Sequence, residues 1–356
     1  MALRTPLYDA HLKSSARMVE FAGFDMPVQY SGILEEHAAV RSKAGLFDVS
    51  HMSNVWIRGK GAKTLLSETV ATNPDRIQPG RASYTTAMRE DGTIIDDLIY
   101  YKFSDDEFHV VPNAGMNKII TSWLTAHAGR DVTVEDASRE YCILALQGPK
   151  AREILRHVLP EAAAVKKFAF HELKFGKIKG FVSGTGYTGE DGVELVVPNA
   201  EAIQLFPRLL KEGKRDGLVP VGLGARDTLR LEKGYCLASH EFAGGRSPLE
   251  AGLAWTVHWD HDFVGKAALE CQKDADSYER LVGLTLKDAG IPRQGFPVLQ
   301  NGAAVGAVTS GTMSPTLHKG IALAYVAKTV AASGTGVDVD IRGRRAAAQV
   351  TPTPFL

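Results

Sequence analysis

The sequence predicts an α+β fold that ends in a small β-barrel. Before residue 270, strand-like and helix-like segments follow each other without the strict strand–helix–strand repeat of a doubly wound sheet. After residue 280 the pattern changes to short strands, six of them within about 75 residues. Asn301-Gly302 separates two of these strands and is a strong hairpin signal. Short strands at this spacing are typical of a small barrel.

The composition is that of an ordinary globular protein without net charge. The 356 residues include 41 Lys plus Arg and 41 Asp plus Glu, so nucleic acid is not an expected partner. The length accommodates two or three domains. The three cysteines form no CxxC pair, which fits a reducing compartment. Neither a run of roughly 18 apolar residues nor the apolar core of a secretory signal is present, so we expect a cytoplasmic protein without membrane contact.

Helical and extended patterns divide the first 270 residues. The helical patterns cover 35–44, 62–70, 116–128, 149–158, 201–211 and 225–233. The strand patterns cover 83–89, 94–101, 108–111, 142–146 and 193–197. Gly234 follows the last helical pattern, where a helix C-terminus favours glycine. The polar residues 270–280 are interpreted as a linker.

Two acids interrupt an apolar strand after the turn Asp91-Gly92. Asp96 and Asp97 point to opposite faces, because successive side chains of a strand alternate. The two carboxylates therefore cannot act as a close pair on one substrate. We expect Asp96 to face a cavity and the chemistry, and Asp97 to be held by backbone donors or water. The alternative is an edge strand with both acids solvated.

The glycines of residues 184–189 fit the pattern GxGxxG, but their context is wrong for a dinucleotide site. That site requires a strand followed by a helix, whereas a second strand follows here. We therefore interpret the segment as a hairpin loop. Glu194 lies on the strand after the loop, where its carboxylate is suited to accept two N–H groups of a flat heterocycle. The alternative is a surface acid on an alternating strand.

Arg226 lies in the first turn of a predicted helix, where the helix dipole disfavours a cation. An anionic or carbonyl partner is therefore expected, and Asp227 or another nearby acid is the alternative partner. Arg230, one turn later, shares its face. The only metal-like cluster is His258-Trp-Asp-His-Asp262; these neighbours cannot all converge on one ion, so no metal is expected.

Seven stretches in order along nearly the whole chain form a specific set. They are Thr5-Pro-Leu-Tyr8, Phe47-Asp-Val-Ser-His-Met52, Gly92-Thr-Ile-Ile-Asp-Asp-Leu98, Gln147-Gly-Pro149, Gly186-Tyr-Thr-Gly-Glu-Asp-Gly-Val-Glu194, Gly222-Leu-Gly-Ala-Arg-Asp-Thr-Leu-Arg-Leu-Glu232 and Thr309-Ser-Gly-Thr-Met-Ser-Pro-Thr316. With them the chain resembles the aminomethyltransferase, or T-protein, family of the glycine cleavage system.

The resemblance implies a three-domain cloverleaf around a central folate cavity. We place the first α+β domain at 1–50 and 140–270, the second at 51–139, and the barrel at 281–356. The implied reaction moves a one-carbon unit from the aminomethyl-dihydrolipoyl arm of H-protein to tetrahydrofolate. Ammonia is released and 5,10-methylenetetrahydrofolate is formed. We expect a monomer or a weak dimer.

The resemblance also assigns roles to residues. Asp96 matches the essential aspartate and is expected beside N5 and N10 of the folate. Glu194 matches the glutamate that binds the pterin edge, and Arg226 the folate-binding arginine. Five further residues are expected to line the pocket: Met52, Tyr84, Asn113, Tyr187 and Tyr235.

The chain departs from the family pattern in one loop. Leu237-Ala-Ser-His-Glu241 stands where the family often has Leu-Tyr-Gly-Gln/His-Glu, so the contact of that loop is open. Two alternative functions remain: a tetrahydrofolate-dependent demethylase of a small methylated substrate, and a non-catalytic folate-binding module. The folate-binding iron–sulfur assembly factors have Lys-Gly-Cys-Tyr, whereas this chain has Lys233-Gly-Tyr-Cys236, which argues against that group.

Overall fold

The computed structural model describes residues 2–175 and 178–356. The chain divides into two compact units. The first unit comprises Met1–Thr69, Asn73–Thr85 and Leu98–Arg226. The second comprises Val70–Thr72, Thr86–Asp97 and Asp227–Leu356. Within the described ranges, no helix has the length and apolar character needed to cross a membrane.

Nine α-helices of varied length are found in the described residues. They are α1 (Tyr8–Lys13), α2 (Ile33–Ser42), α3 (Ala62–Thr69), α4 (Asn117–His127), α5 (Ala151–Val158), α6 (Asn199–Gly213), α7 (Leu223–Glu232), α8 (Ala238–Glu241) and α9 (Lys266–Ala275).

The strands fall into an N-terminal, a middle and a C-terminal group. The first group is β1 (Leu3–Arg4), β2 (Arg17–Phe21), β3 (Phe24–Gln29), β4 (Ala44–Asp48), β5 (Val55–Arg58), β6 (Arg81–Met88), β7 (Ile94–Lys102), β8 (Glu107–Pro112) and β9 (Thr133–Asp136). The second is β10 (Tyr141–Gln147), β11 (Phe170–Phe175), β12 (Ile178–Ser183), β13 (Gly192–Pro198) and β14 (Leu218–Pro220). The third is β15 (Arg280–Leu286), β16 (Pro297–Gln300), β17 (Ala303–Met313), β18 (Gly320–Val326), β19 (Gly336–Ile341) and β20 (Arg344–Thr351).

A six-stranded sheet with the order β11-β12-β13-β10-β4-β14 forms the centre of the first unit. Helices α5 and α6 each bury an apolar stripe in its core, for example Ile154, Leu155 and Val158 on α5. The spacing i, i+1, i+4 places these side chains on one helix face. Helix α6 continues across Pro207, which lies on its exposed side. A smaller sheet, β1-β3-β2, lies near the N-terminus.

A second sheet has the order β6-β7-β8-β5-β9, so β7 is an interior strand. The predicted turn before β7 is present: Asp91 Oδ1 accepts hydrogen bonds from the N–H and the hydroxyl of Thr93, and Gly92 has φ +78°. Both Asp96 and Asp97 are buried, 0% and 8% exposed. The alternative of an edge strand with solvated acids is therefore wrong.

The C-terminal strands close into a barrel with the order β15-β18-β17-β16-β19-β20. Val298, Val308, Val339 and Val350 are among the side chains that fill its core. Asn301 and Gly302 form the tight turn between β16 and β17, with φ +52° and +84°, as the twist of a two-residue hairpin requires. The predicted α+β class and C-terminal barrel are confirmed.

The predicted linker over 270–280 is wrong in its first half, which belongs to α9. Leu269 of α9 is fully buried in a cluster with Met88 and Leu249. Tertiary packing of this kind supplies most of the stability of a helix as short as α9. The sequence analysis predicts no individual strand at the positions of β1, β2, β3, β9, β11 and β14. The predicted domain boundaries stay a prediction.

Helix α7 ends as the sequence predicts, with Gly234 in the left-handed region at φ +70°. The N–H of Gly234 donates to Leu231 O (2.9 Å), and the N–H of Tyr235 donates to Arg230 O (3.0 Å). This pair of bonds is a Schellman motif. A Cβ at position 234 would also lie 2.5 Å from Thr353 Cβ.

Gly234→Ala should lower the free energy of unfolding by about 1–2 kcal/mol from backbone strain, and further through the contact with Thr353. Chemical denaturation of the full chain measures this loss. Gly129→Ala is the matched control, because its φ is not in the left-handed region and a Cβ there meets open space. Equal stability of the two variants would contradict the assigned role of Gly234.

Candidate active site

The predicted catalytic residue, Asp96, lies in β7 of the second unit. It is 0% exposed and shares its strand face with Ile94, Leu98 and Tyr100, all buried. Strand β7 therefore places Asp96 and Asp97 on opposite faces, and both carboxylates are buried. A carboxylate in apolar surroundings keeps a strong electrostatic influence on whatever group it faces.

The glycine-rich segment connects β12 to β13 as a hairpin loop, as predicted. The strands are antiparallel, with Ser183 opposite Glu194. The Gln147 side chain supports the loop: its amide donates to Thr185 O (3.2 Å) and accepts from Thr188 Oγ1 (2.9 Å). A Cβ at Gly186 would lie 2.0 Å from Gln147 Oε1. Glycine is therefore needed for this close approach.

A chain of hydroxyl groups leads to Glu194. Thr185 Oγ1 donates to Glu194 Oε2 at 2.5 Å, and Ser183 Oγ lies 2.6 Å from Thr185 Oγ1. Tyr101 OH lies 3.3 Å from both hydroxyls. Burial raises the pKa of Glu194, and the Thr185 hydrogen bond and the Arg226 charge oppose that rise only in part. Burial therefore disfavours the charged form of this carboxylate.

Arg226 lies in the first unit with Glu194. Its guanidinium stacks over the Tyr187 ring, 4.6 Å from the centroid, and burial lowers its pKa against the favourable fields of Tyr187 and Glu194. Its Nη1 is buried without a hydrogen-bond partner in the described structure. Asp227, the alternative partner, accepts from Arg230 instead (2.8 Å). The structure thus brings Tyr187, Glu194 and Arg226 together.

His51 is a member of this group that the sequence did not single out as a site residue. It is 4% exposed, and its Nδ1 is buried without a partner among the described residues. Burial and the nearby charge of Arg226 lower the pKa of His51 to about 4, and Asp48 opposes the shift. The ring is therefore neutral at pH 7. The sequence signal that points to His51 is its position within the Phe47–Met52 motif.

Asp48 holds the turn that carries His51. Its carboxylate accepts from Thr5 Oγ1 (2.7 Å) and from the N–H of Ser50 (2.9 Å), and His11 Nε2 lies 2.8 Å away. Burial alone raises the pKa of a carboxyl, but the hydrogen bonds and the charge interaction with His11 outweigh it and lower the pKa of Asp48.

The other predicted pocket residues differ in exposure. Met52, Tyr84 and Asn113 are partly buried in the first unit. Tyr235 belongs to the second unit and is 39% exposed. Their roles stay predictions.

The metal-like cluster has ordinary hydrogen-bond partners. His261 Nδ1 lies 2.8 Å from His258 O, and Nε2 lies 3.2 Å from Val70 O. Within residues 2–175 and 178–356, no three His, Cys, Asp or Glu side chains form a group suited to a metal ion.

Glu194 and Arg226 present acceptor and donor atoms beside a ring. This arrangement suits a planar ligand with both N–H and carbonyl groups, because a carboxylate accepts and a guanidinium donates in fixed geometry. The neutral His51 adds a further polar atom. Ligand pockets combine a few such polar groups with apolar surroundings.

Comparisons with known proteins agree along the whole chain. Residues 7–261 match the family model described as GCVT N-terminal domain, and residues 279–356 match the glycine cleavage T-protein C-terminal barrel domain. The aminomethyltransferase of Geobacillus thermodenitrificans is 45% identical over 359 residues, covering 100% of this chain and 98% of the relative. That of Chlorobaculum parvum is 45% identical, covering 99% and 98%.

A solved structure has the same fold. The glycine cleavage system aminomethyltransferase T from Bartonella henselae superposes with a TM-score of 0.93 at 32% identity, covering 100% of this chain and 98% of that one. The fold, the site and these matches define an enzyme of the aminomethyltransferase class. More narrowly, the chain belongs to the glycine cleavage T-protein family. The predicted family and the predicted class of enzyme are confirmed.

The neutral state of His51 predicts acid sensitivity. A histidine whose pKa is lowered by folding binds its proton more readily in the unfolded chain, so stability is present above pH 6.5 and falls as the pH decreases from about 6.5 to 4. The loss is on the order of 3 kcal/mol. His51→Gln should flatten this part of the profile of unfolding free energy against pH.

His127→Gln is the matched control, because His127 is exposed on α4 and accessible to water in the folded chain. Profiles that coincide for wild type and His51→Gln would contradict the buried, neutral ring.

Proposed function

We propose that this protein transfers the one-carbon unit of an aminomethylated lipoyl arm to tetrahydrofolate, with lipoylated H-protein as the donor. The observation that carries the proposal is the partly buried pair of Glu194 and Arg226, with Tyr187 beside the guanidinium. Within the described residues Arg226 Nη1 has no hydrogen-bond partner, and burial raises the pKa of Glu194. Membership of the T-protein family supports the same ligand.

Glu194 and Arg226 bind the pterin in this proposal. The reduced pterin carries adjacent N–H groups and a carbonyl, which complement a carboxylate and a guanidinium. Burial raises the pKa of Glu194, so its charged form gains stabilisation when donors arrive with the ligand. Two N–H groups of the ligand donate hydrogen bonds to the Glu194 carboxylate and supply this stabilisation. Thr185 fixes the carboxylate orientation through its hydrogen bond.

Asp96 acts on the reacting carbon. One folate nitrogen bonds to the carbon as the dihydrolipoyl sulfur and the ammonia leave, which gives a cationic iminium, and the second folate nitrogen then bonds to the same carbon. The two N–H protons of the folate end on the sulfur and on the ammonia. A fixed carboxylate in a buried site stabilises that positive charge and orients the attacking nitrogen. Asp96 meets the requirement of burial, with 0% exposure.

Asp96→Asn should reduce the rate of ammonia release by roughly 10²–10³-fold, as removal of a preorganised electrostatic group does, while tetrahydrofolate binding persists. The assay mixes the protein with aminomethylated H-protein and tetrahydrofolate and follows ammonia. Asp97→Asn is the matched control, because Asp97 is the neighbouring buried carboxylate on the opposite strand face.

Two outcomes would contradict the proposal. If wild type releases no ammonia above the buffer blank, the transferase function is wrong. If wild type is active and the two aspartate variants lose the same activity while staying folded, Asp96 has no special role. Turnover of a free methylated substrate without H-protein would instead favour the demethylase alternative.

Glu194→Gln should weaken tetrahydrofolate binding about tenfold or more, because a neutral amide replaces a charged acceptor and presents an N–H toward ligand donors. Equilibrium titration measures the change in Kd. Glu190→Gln is the matched control: Glu190 follows the same loop but pairs with Arg41 at 2.9 Å. Equal affinities of the two variants would remove Glu194 from the site.

A further inference from the structure

Parts of two family motifs meet in the second unit, and these parts have no role in the proposed chemistry. The later part of the 222–232 motif supplies Arg230 and Glu232, and the 309–316 motif supplies Ser310 and Ser314. Arg230 Nη2 donates to Ser310 Oγ at 2.9 Å, and Ser314 Oγ donates to Glu232 Oε1 at 2.5 Å. Both contacts join α7 to the barrel. They differ in the further hydrogen bonds that their residues make, because Arg230 also binds the segment that follows α7.

Arg230 binds both backbone polar groups of Tyr235. Its carbonyl accepts from the Tyr235 N–H (3.0 Å) in the Schellman motif, and its Nη1 donates to Tyr235 O (2.9 Å). The side chain is 1% exposed, so water does not compete for these bonds. Tyr235 thus has a fixed backbone although its side chain is 39% exposed.

The guanidinium also orders the segment after Tyr235. Arg230 Nη1 lies 3.4 Å from Glu241 Oε2, and the same oxygen accepts from the Leu237 N–H at 2.7 Å. Asp227 binds the guanidinium on another side, 2.7 Å from Nη2. The planar fork of an arginine satisfies several acceptors at fixed angles, which a lysine does not.

Ser310 anchors this arginine from the barrel. The register of β17 against β18 shifts between Val308 and Ser310, and such a bulge redirects the side chains next to it. Ser310 Oγ is also 3.1 Å from His240 Nδ1 on α8. One barrel hydroxyl therefore fixes Arg230 and the helix that follows the Tyr235 segment.

We propose that Arg230, anchored by Ser310, is a positioning residue that sets Tyr235 for tetrahydrofolate binding. This inference rests on the proposed function and on the expectation, implied by the family resemblance, that Tyr235 lines the folate pocket. Ser314 supplies the contrast: it binds Glu232 and the N–H of Leu317 (2.9 Å), and none of its hydrogen bonds reaches residues 233–241. Loss of Ser314 thus tests attachment of α7 to the barrel without loss of the Tyr235 contact.

The experiment compares Ser310→Ala with Ser314→Ala in the full chain. Ser310→Ala should raise KM for tetrahydrofolate roughly tenfold with kcat nearly unchanged, because a misplaced binding group costs affinity. Arg230→Lys should reproduce this change, and Ser310→Thr, which keeps the hydroxyl, should restore KM. Ser314→Ala should lower the free energy of unfolding and leave KM at the wild-type value. All assays run well below the melting temperature of every variant.

A double-mutant comparison shows whether Ser310 acts through Tyr235. In a Tyr235→Ala background, Ser310→Ala should add little to KM, because coupled residues give non-additive effects. An unchanged KM for Ser310→Ala would overturn the inference, as would equal KM changes for the two serine variants or full additivity with Tyr235→Ala. In those cases wild type still releases ammonia with tetrahydrofolate. A wild type without that activity would overturn the proposed function, and the inference with it.

Discussion

Carboxylates removed from water set the strongest constraint on this chain. An ionised carboxyl costs several kcal/mol to bury unless donors surround it. Asp48 is 3% exposed and Glu232 is 0% exposed. Asp48 accepts from Thr5, and Glu232 accepts from the N–H and hydroxyl of Thr316. Since Thr5 lies 43 residues from Asp48 and Thr316 lies 84 residues from Glu232, folding is needed before these donors reach the buried carboxylates. The hydrogen bond that stabilises the carboxylate therefore also connects two segments that are distant in the sequence.

Glu36 follows the same rule beside the candidate site. It is 0% exposed and accepts from the N–H groups of Tyr30, Gly32 and Gly222. Gly222 immediately precedes α7, so this carboxylate fixes the start of the helix that carries Arg226. The recognisable motifs of the chain are therefore largely the donors and acceptors of buried charges. Glu194 differs from Asp48, because burial raises the pKa of Glu194, whereas hydrogen bonds and the charge of His11 outweigh burial and lower the pKa of Asp48. A carboxylate with too few protein donors is suited to take donors from a ligand.

Local pattern was sufficient for some parts of the fold and the site. The alternation of side chains separated Asp96 from Asp97 on β7, and the turn residues placed the hairpins at Asp91-Gly92 and Asn301-Gly302. Local pattern is insufficient where contacts between distant parts of the chain determine the structure. Helix α9 is held through the buried Leu269, which lies just before the polar residues 270–280 that the sequence analysis interprets as a linker. The importance of His51 depends on the charge of Arg226, which is distant in the chain and becomes a neighbour only on folding.

The register between β12 and β13 determines the orientation of Glu194 beside the hairpin loop. Ser183 lies opposite Glu194, so the hydroxyl chain that ends at Thr185 reaches the carboxylate. A slip of one residue would turn Glu194 to the other face of the sheet. The Gln147 side chain fixes the loop at this register, and it does so only because Gly186 has no Cβ. The glycines that imitate a dinucleotide fingerprint therefore serve close packing, and the orientation of Glu194 depends on that packing.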